Sequence, residues 1–209
     1  MKKINRRSFL AAAGLTAAAL ALTACGGSAS STASSTASSA ASSEAASTSA
    51  AFPPYEMTTD AGEFEGIDID TAKAIAEKLG LELQIDDMDF DAALLSVQQG
   101  KADIVMAGVT VTDERKAVMD FSDSYATGIQ SIIVPEGSDI TSPDDLAGKK
   151  IGTQRGTTGY IYCSDDFGDD AVVAYDDGLT AVQALNNGQV DAVVIDNAPA
   201  KEFVAANPG

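Results

Sequence analysis

Residues 177–196 read DGLTAVQALNNGQVDAVVID, and they repeat the pattern of residues 89–108, which read DFDAALLSVQQGKADIVMAG. An Asp, an Ala, a Gly, a second Asp and a Val recur at an offset of 88 residues, from 89 to 177. Each copy predicts a helix that ends at the Gly, followed by the second Asp and a buried strand. Such units also recur by chance in α/β proteins, so the repeat favours two similar lobes with a cleft between them but does not establish them.

The rest of the body alternates between helical and extended patterns. Apolar residues at helical spacing predict a helix over 70–79, and alternation predicts a strand over 81–85. The run 150–154 also predicts a strand. In open α/β sheets ligands bind beyond the carboxyl ends of the strands, where the repeat places Gly108 and Asp196 at equivalent positions.

The first part of the chain has the composition of an export signal and a tether. Residues 1–24 have a basic start and a small, apolar run too short for a comfortable membrane span, which predicts a signal peptide. The sequence around Cys25 resembles the lipobox of bacterial lipoproteins, which implies a lipid on Cys25. The Ser/Ala/Thr-rich segment 25–51 predicts a flexible tether. Paired arginines before residue 8 leave Sec and twin-arginine export both open.

Charge and composition exclude several function classes. Lysine and arginine total 13 and acidic residues total 31, which gives −18; without the four basic residues of the signal the charge is 9 minus 31, or −22. Such a body repels nucleic acid and anionic lipid. The chain has no His, so serine-triad and most metal-assisted hydrolysis are disfavoured, and we expect no catalytic residue, no metal and no cofactor. Cys163 has no disulfide partner if Cys25 is lipidated.

Arg115 lies close to the start of a predicted helix for which Thr112 is a good N-cap. A cation there faces the positive end of the helix dipole, unless an anion is bound beside it. The α-carboxylate of an amino acid would be such an anion. Pairing of Arg115 with Asp120 or Asp123 on the surface is an equally good interpretation.

Three other features have both a binding and a structural interpretation. Residues 156–159, GTTG, form either an anion-binding nest or an ordinary turn with a Thr N-cap. Asp196 either receives a ligand ammonium or caps a helix starting near Pro199. Phe52 and Phe90 either stack on a ligand or belong to the core.

Residues 52–209 carry these motifs in an order that resembles the family 3 extracellular solute-binding proteins, the polar amino-acid receptors of ABC importers. The segments that carry the resemblance are 52–56 (FPPYE), 66–70 (GIDID), 108–115 (GVTVTDER), 120–123 (DFSD), 156–159 (GTTG) and 190–196 (VDAVVID).

The resemblance implies an α/β fold of the two-lobe, periplasmic-binding-protein-like type II class, with lobe 1 at 52–128 and lobe 2 at 129–209. It implies a non-enzymatic protein, lipid-anchored on the extracytoplasmic face of the cell membrane, that delivers an amino acid to the transmembrane subunits of an ABC permease by lobe closure. The ligand-binding positions it implies are the carboxylate clamp Arg115, Thr110, Thr157 and Thr158, the ammonium acceptors Gly108, Thr110 and Asp196, and the stacking aromatics Phe52 and Phe90.

Two departures from the family pattern predict a body that is incomplete at both ends. Residues 43–51 lack the β-branched aliphatic side chains of a central strand, which predicts that lobe 1 has lost it. The chain also stops before the return to lobe 1. Two alternative functions remain open: a cyclohexadienyl dehydratase, which uses a cleft carboxylate as acid on the same fold, and a sensor domain without transport.

The sequence does not identify the amino acid. Asp68, Asp70 and Asp87 are interpreted as charges at a helix start or on the surface, and no pairing of carboxylates is evident.

Overall fold

A computed structural model describes residues 43–207 of the chain. The predicted signal 1–24, Cys25 and residues 26–42 of the predicted tether lie outside the described residues. The strands are β1 (Ser43–Thr48), β2 (Ala51–Phe52), β3 (Glu56–Thr58), β4 (Phe64–Glu65), β5 (Glu82–Asp87), β6 (Ile104–Val105), β7 (Gln130–Ile133), β8 (Ile151–Gln154), β9 (Val172–Tyr175) and β10 (Ala192–Asp196). The helices are α1 (Ile67–Leu79), α2 (Phe90–Gln98), α3 (Asp113–Lys116), α4 (Thr158–Phe167), α5 (Gly178–Asn186) and α6 (Asn197–Ala206).

The first lobe has a parallel sheet in the order β5-β1-β6, with β1 in the centre. The prediction that lobe 1 lacks its central strand is therefore wrong, and so is the prediction that the tether extends to Ala51. β1 pairs along its whole length with β5, from Ser43 opposite Glu82 to Thr48 opposite Asp87.

The small side chains of β1 allow it to pack in the centre of the sheet. They are also the reason that the sequence did not predict a strand here. Ala46, Ser47 and Thr48 are almost fully buried, and the Ser47 hydroxyl forms a 2.7 Å hydrogen bond with the Ser96 hydroxyl of α2. The Ser96 hydroxyl also donates to the Ala93 carbonyl at 2.7 Å. β1 is therefore stabilised by backbone pairing on both sides and by close contact with a helix. It does not have the β-branched aliphatic side chains on which a prediction from strand propensity depends.

The second lobe has a four-stranded sheet in the order β7-β10-β8-β9. Strand β10 is parallel to β8 and antiparallel to β7, and β8 is parallel to β9. Two apolar clusters cover its faces, one built on α5 and α6 and the other around Ile151, Cys163 and Leu146.

The predicted internal repeat is present as two equivalent βαβαβ units. The unit β1-α1-β5-α2-β6 has the same order and central strand as β8-α4-β9-α5-β10. The two repeated glycines, Gly100 and Gly188, both end their helices with φ +68°. Asp103 accepts a hydrogen bond from the Ala45 N–H at 3.0 Å, and Asp191 accepts one from the Lys150 N–H at 2.7 Å. In each lobe the repeated Asp therefore holds the start of the central strand.

This equivalence gives a direct test of β1. We expect Asp103→Ala and Asp191→Ala each to lower the free energy of unfolding by about 1 kcal/mol, because each leaves one backbone N–H in or next to a central strand without its acceptor. Urea denaturation followed by circular dichroism measures both, with the exposed Asp60→Ala as control. An unchanged Asp103→Ala protein beside a destabilised Asp191→Ala protein would contradict the pairing of β1.

Several predicted boundaries shift for local reasons. α1 begins at Ile67, three residues before its predicted start, because Gly66 turns the chain with φ 127°. The apolar run 102–109 pairs as β6 only at Ile104–Val105, since the chain then leaves the sheet toward Gly108, where φ is +55°. The end of this run therefore forms part of the wall of the cleft and is not part of the sheet.

The antiparallel strands β2, β3 and β4 form a small third sheet that reaches lobe 2. Phe52 of β2 and Tyr55 of the turn that follows belong to the apolar cluster of α5 and β10. The lobes therefore contact each other in this conformation. No helix within residues 43–207 combines the length and apolar character needed to cross a bilayer.

Candidate ligand-binding site

A cavity lies between the lobes, and all of the predicted ligand-binding residues line it. They are Phe52, Phe90, Gly108, Thr110, Arg115, Thr157, Thr158 and Asp196. The cavity is also lined by residues that were not predicted, namely Ser49, Glu56, Ala107, Gln130, Gln154 and Ile195.

The topology of the two sheets brings these residues together. Ser49 follows β1 and Gln154 ends β8, the two central strands. Asp196 ends β10, and Gly108 follows β6. The carboxyl ends of parallel strands from both lobes thus face one cleft, as the general rule for α/β sheets predicts.

Arg115 is buried, with 8% of its surface exposed. Its Nη1 donates to the Thr110 carbonyl at 2.7 Å and its Nη2 donates to the Gly156 carbonyl of lobe 2 at 3.0 Å. None of the ion pairs among residues 43–207 includes it, so the pairing with Asp120 or Asp123 is not present. Burial lowers the pKa of the guanidinium, and Asp91 opposes that shift. A buried cation with remaining N–H donors is suited to an anionic ligand group.

The N-terminus of α4 lies opposite in lobe 2. The Thr157 hydroxyl accepts from the Tyr160 N–H at 3.3 Å and donates to the Gln154 carbonyl at 2.8 Å, so Thr157 is an N-cap. Thr158 begins the helix and is 6% exposed. Because first-turn N–H groups have no acceptor inside a helix, they are available to an anion in the cavity.

Asp196 does not cap α6 with its side chain, although the helix begins directly after it. Its carboxylate instead accepts a hydrogen bond from the Gln130 amide, which also donates to the Thr158 hydroxyl at 3.2 Å. Burial raises the pKa of Asp196, while the Gln130 bond opposes the shift. No Lys or Arg of the described part of the chain pairs with it.

Phe90 and Phe52 each combine a place in an apolar core with a place on the cavity wall. Phe90 is 6% exposed, packs with Leu94 and Met119, and lies under Arg115, whose guanidinium carbon is 5.4 Å from the ring centre. Phe52 stacks on Tyr55 with ring centres 5.8 Å apart. Each ring therefore belongs to a core on one side and to the cavity on the other.

Gly108 is constrained by its neighbours as well as by its backbone. A Cβ atom there would lie 2.9 Å from Phe52 Cε1, and its φ of +55° is one that other residues rarely adopt. Its N–H donates to Asp68 Oδ2 at 2.8 Å. The glycine thus lets the chain pass under Phe52 along the cavity wall.

Glu56 and Asp68 form a carboxyl pair that the sequence interpretation missed. Both are 0% exposed, and Glu56 lines the cavity. Asp68 Oδ1 accepts from the Tyr125 hydroxyl at 2.8 Å. Burial first, and the neighbouring Asp68 second, raise the pKa of Glu56 to about 10. The interpretation of Asp68 as a surface charge is therefore wrong, although it does lie in the first turn of α1.

The cavity residues that were not predicted differ in whether the sequence contained a signal for them. Gln154 ends a predicted strand, so the strand-end rule could have found it. Ser49 follows a strand that was not recognised, and Gln130 begins β7, for which no strand was predicted. Among the described residues no cluster of Cys, Asp and Glu is arranged to hold a metal ion.

Comparisons with known proteins agree with this architecture. The model of the bacterial extracellular solute-binding proteins, family 3, matches residues 45–160. A probable histidine-binding protein of Neisseria gonorrhoeae is 36% identical over 208 residues, which are 98% of this chain and 77% of that protein. The L-cystine-binding protein TcyJ of Escherichia coli K12 is 34% identical over 73% of this chain, and the match spans 58% of its own length.

A solved structure of truncated, arginine-bound ArgBP from T. maritima superposes with a TM-score of 0.76 and 43% identity, covering 79% of this chain and 78% of that one. The arginine-, lysine-, histidine-binding protein ArtJ from Geobacillus stearothermophilus gives a TM-score of 0.76 and 37% identity, covering 79% and 72%.

Two α/β lobes with a cavity between them define a ligand-capturing protein of the type II two-lobe class, and the predicted fold class is confirmed. The chain belongs to the bacterial extracellular solute-binding proteins of family 3.

Proposed function

We propose that this chain captures a free L-amino acid outside the cytoplasm and presents it to an ABC import permease. One observation carries the proposal: the same cavity is lined by a buried guanidinium, Arg115, and a half-buried carboxylate, Asp196, and neither forms an ion pair within residues 43–207. Burying an unpaired charge is costly, so each requires a ligand group of the opposite sign. The zwitterionic backbone of an amino acid supplies both.

The division of roles follows the surroundings of each charge. The α-carboxylate would lie against Arg115 and the N-terminus of α4, while the ammonium would lie against Asp196, the Thr110 hydroxyl and the Gly108 carbonyl. Because Arg115 belongs to lobe 1 and Asp196 to lobe 2, one ligand would connect the two lobes. Binding would then shift an open population toward the closed conformation that a permease recognises.

The side chain of the ligand would be cationic. Glu56 is fully buried, lines the same cavity and has no hydrogen-bond donor among residues 43–207. The relatives named for histidine, and the solved structures named for arginine and for arginine, lysine and histidine, agree with this class. Phe52 and Phe90 would stack on the flat part of such a side chain.

Isothermal titration with three matched ligands tests the proposal. L-arginine should bind saturably, whereas agmatine, which lacks the carboxylate, should bind far more weakly because it leaves Arg115 unpaired. L-citrulline, a neutral isostere, should bind more weakly than L-arginine through the loss of its side-chain charge. If none of the twenty amino acids binds, the proposal fails.

We also propose that Cys25 carries a lipid that holds the protein at the membrane. The support is the sequence before Cys25 and the family's extracellular location. Incorporation of labelled palmitate in cells should be seen for the natural chain and be lost in Cys25→Ser. Equal labelling of the two would refute the anchor.

A second candidate is a dehydratase on the same fold, and the buried Glu56 favours it because a carboxyl that holds its proton near neutral pH can act as a general acid. Incubation with prephenate or arogenate discriminates. Turnover that is lost in Glu56→Gln would establish the enzyme, and its absence would leave the binding function alone.

A further inference from the structure

Glu56 and Asp68 are two buried carboxyl groups side by side, and no Lys or Arg within residues 43–207 forms an ion pair with either. Glu56 lies on β3 and Asp68 on α1, and both are 0% exposed. The ionisable groups that act on Glu56 or respond to it are Asp68, Asp87 at the end of β5, Tyr55 in the turn before β3, and Tyr125 in the segment between the lobes. All of these are acids. Neighbouring carboxyl groups in such a place cannot both ionise, so they share one proton.

Hydrogen bonding decides which carboxyl keeps the proton. Asp68 accepts through both oxygens, from the Tyr125 hydroxyl and from the Gly108 N–H, each at 2.8 Å. These bonds favour its ionised form. Neither Glu56 oxygen receives a donor among the described residues, and two carboxylates cannot hydrogen-bond to each other. A proton on Glu56 removes this conflict, because the acid can then donate toward Asp68.

We propose that Glu56 exchanges its proton for the cationic side chain of the ligand, so that binding of a cationic amino acid releases one proton to solvent. The O–H bond of the Glu56 acid breaks, the proton leaves to the buffer, and the carboxylate that remains pairs with the ligand cation. This inference rests on the proposed amino-acid binding and adds to it a way in which the site distinguishes ligands by the charge of their side chain. A neutral side chain leaves the proton in place and gains no ion pair.

The direction of the pH dependence follows from proton counting. The free protein binds one proton more than the complex with a cationic ligand, so affinity rises with pH while Glu56 of the free protein remains protonated. Burial and the neighbouring Asp68 raise the pKa of Glu56 to about 10, which places the neutral range inside that window. We expect the dissociation constant for L-arginine to fall by up to about tenfold per pH unit between pH 6 and 8, where the guanidinium itself does not titrate.

Titration of the purified chain with L-arginine in two buffers of different ionisation enthalpy measures the protons released. The expected result is close to one proton released for L-arginine at pH 7, none for L-citrulline, and none for L-arginine with Glu56→Gln. Binding of L-arginine without a buffer-dependent heat would overturn the inference and leave the proposed function standing. Proton release that persists in Glu56→Gln would also overturn it.

If Glu56→Gln does not fold, measurements on the natural chain alone still test the inference. Its dissociation constants at pH 6, 7 and 8 should fall steeply for L-arginine and stay level for L-citrulline. Equal slopes for the two ligands would contradict the exchange. Failure of every amino acid to bind would instead contradict the proposed function itself.

Discussion

Arg115→Ala should raise the dissociation constant for L-arginine on the order of 100-fold or more. The guanidinium is the buried cation of lobe 1 in the cavity, and truncating one partner of a buried charge pair costs roughly 2 to 5 kcal/mol. The substitution also removes the 3.0 Å bond to the Gly156 carbonyl, one direct contact between the lobes. Arg115→Lys should recover only part of the loss, because an ammonium lacks the planar fork that holds a carboxylate at two points.

The control for this prediction is Arg155→Ala. Arg155 lies just before the α4 loop, but it is half exposed and pairs at 3.5 Å with Asp176, also on the surface. Such pairs contribute little, so its affinity should stay close to that of the natural chain. Isothermal titration gives the affinities and thermal melting checks that each variant folds. Equal affinities for Arg115→Ala and Arg155→Ala would exclude the carboxylate clamp.

The cleft residues were predictable because the general rules of α/β architecture place them. Gly108 and Asp196 follow repeated strands, and the carboxyl ends of such strands face the ligand whatever their sequence. Arg115 was conspicuous because a cation near a helix start is unfavourable without an anion. The resemblance to family 3 then favoured a ligand role over the structural alternatives that the residues alone left open.

The central strand β1 was not predicted because strand propensity reflects the side chains of the strand itself. The stability of β1 depends instead on the strands and the helix that pack around it. Ala46 and Ser47 are poor strand formers, yet they lie between β5 and β6 under a helix that approaches closely. The repeat contained a usable signal. Asp191 accepts from the residue that precedes β8, so its counterpart Asp103 required an equivalent partner, which is Ala45.

Glu56 could not be assigned from the sequence, because burial without a partner is a property of the assembled lobes. The motif FPPYE identifies the turn, but nothing in it says that the Glu side chain has no donor near it. Asp68 was misjudged for the same reason. Its position at a helix start favoured a solvated charge, but in the structure it is fully buried and accepts hydrogen bonds from Tyr125 and from the Gly108 N–H.

Asp196→Asn should change affinity and stability in opposite directions. Asn keeps the shape but not the charge that a ligand ammonium requires, so the dissociation constant for L-arginine should rise on the order of 30-fold or more. Burial raises the pKa of Asp196 in the folded chain. A carboxyl whose folded pKa lies above its unfolded value destabilises the protein increasingly as pH rises past the unfolded value, about 4. At pH 7 the ligand-free Asn variant should therefore have a higher free energy of unfolding than the natural chain.

Opposite changes in stability and in affinity for L-arginine distinguish a binding role of Asp196 from a structural role. If Asp196 mainly supported the fold through Gln130 and the start of α6, its replacement would lower both stability and affinity. Urea denaturation without ligand and titration with L-arginine supply the two numbers, and Asp165→Asn on the exposed face of α4 should alter neither. A less stable Asp196→Asn protein that binds normally would contradict the assignment. A more stable protein that binds weakly is expected, because a charge kept in the cleft for the ligand destabilises the chain until the ligand arrives.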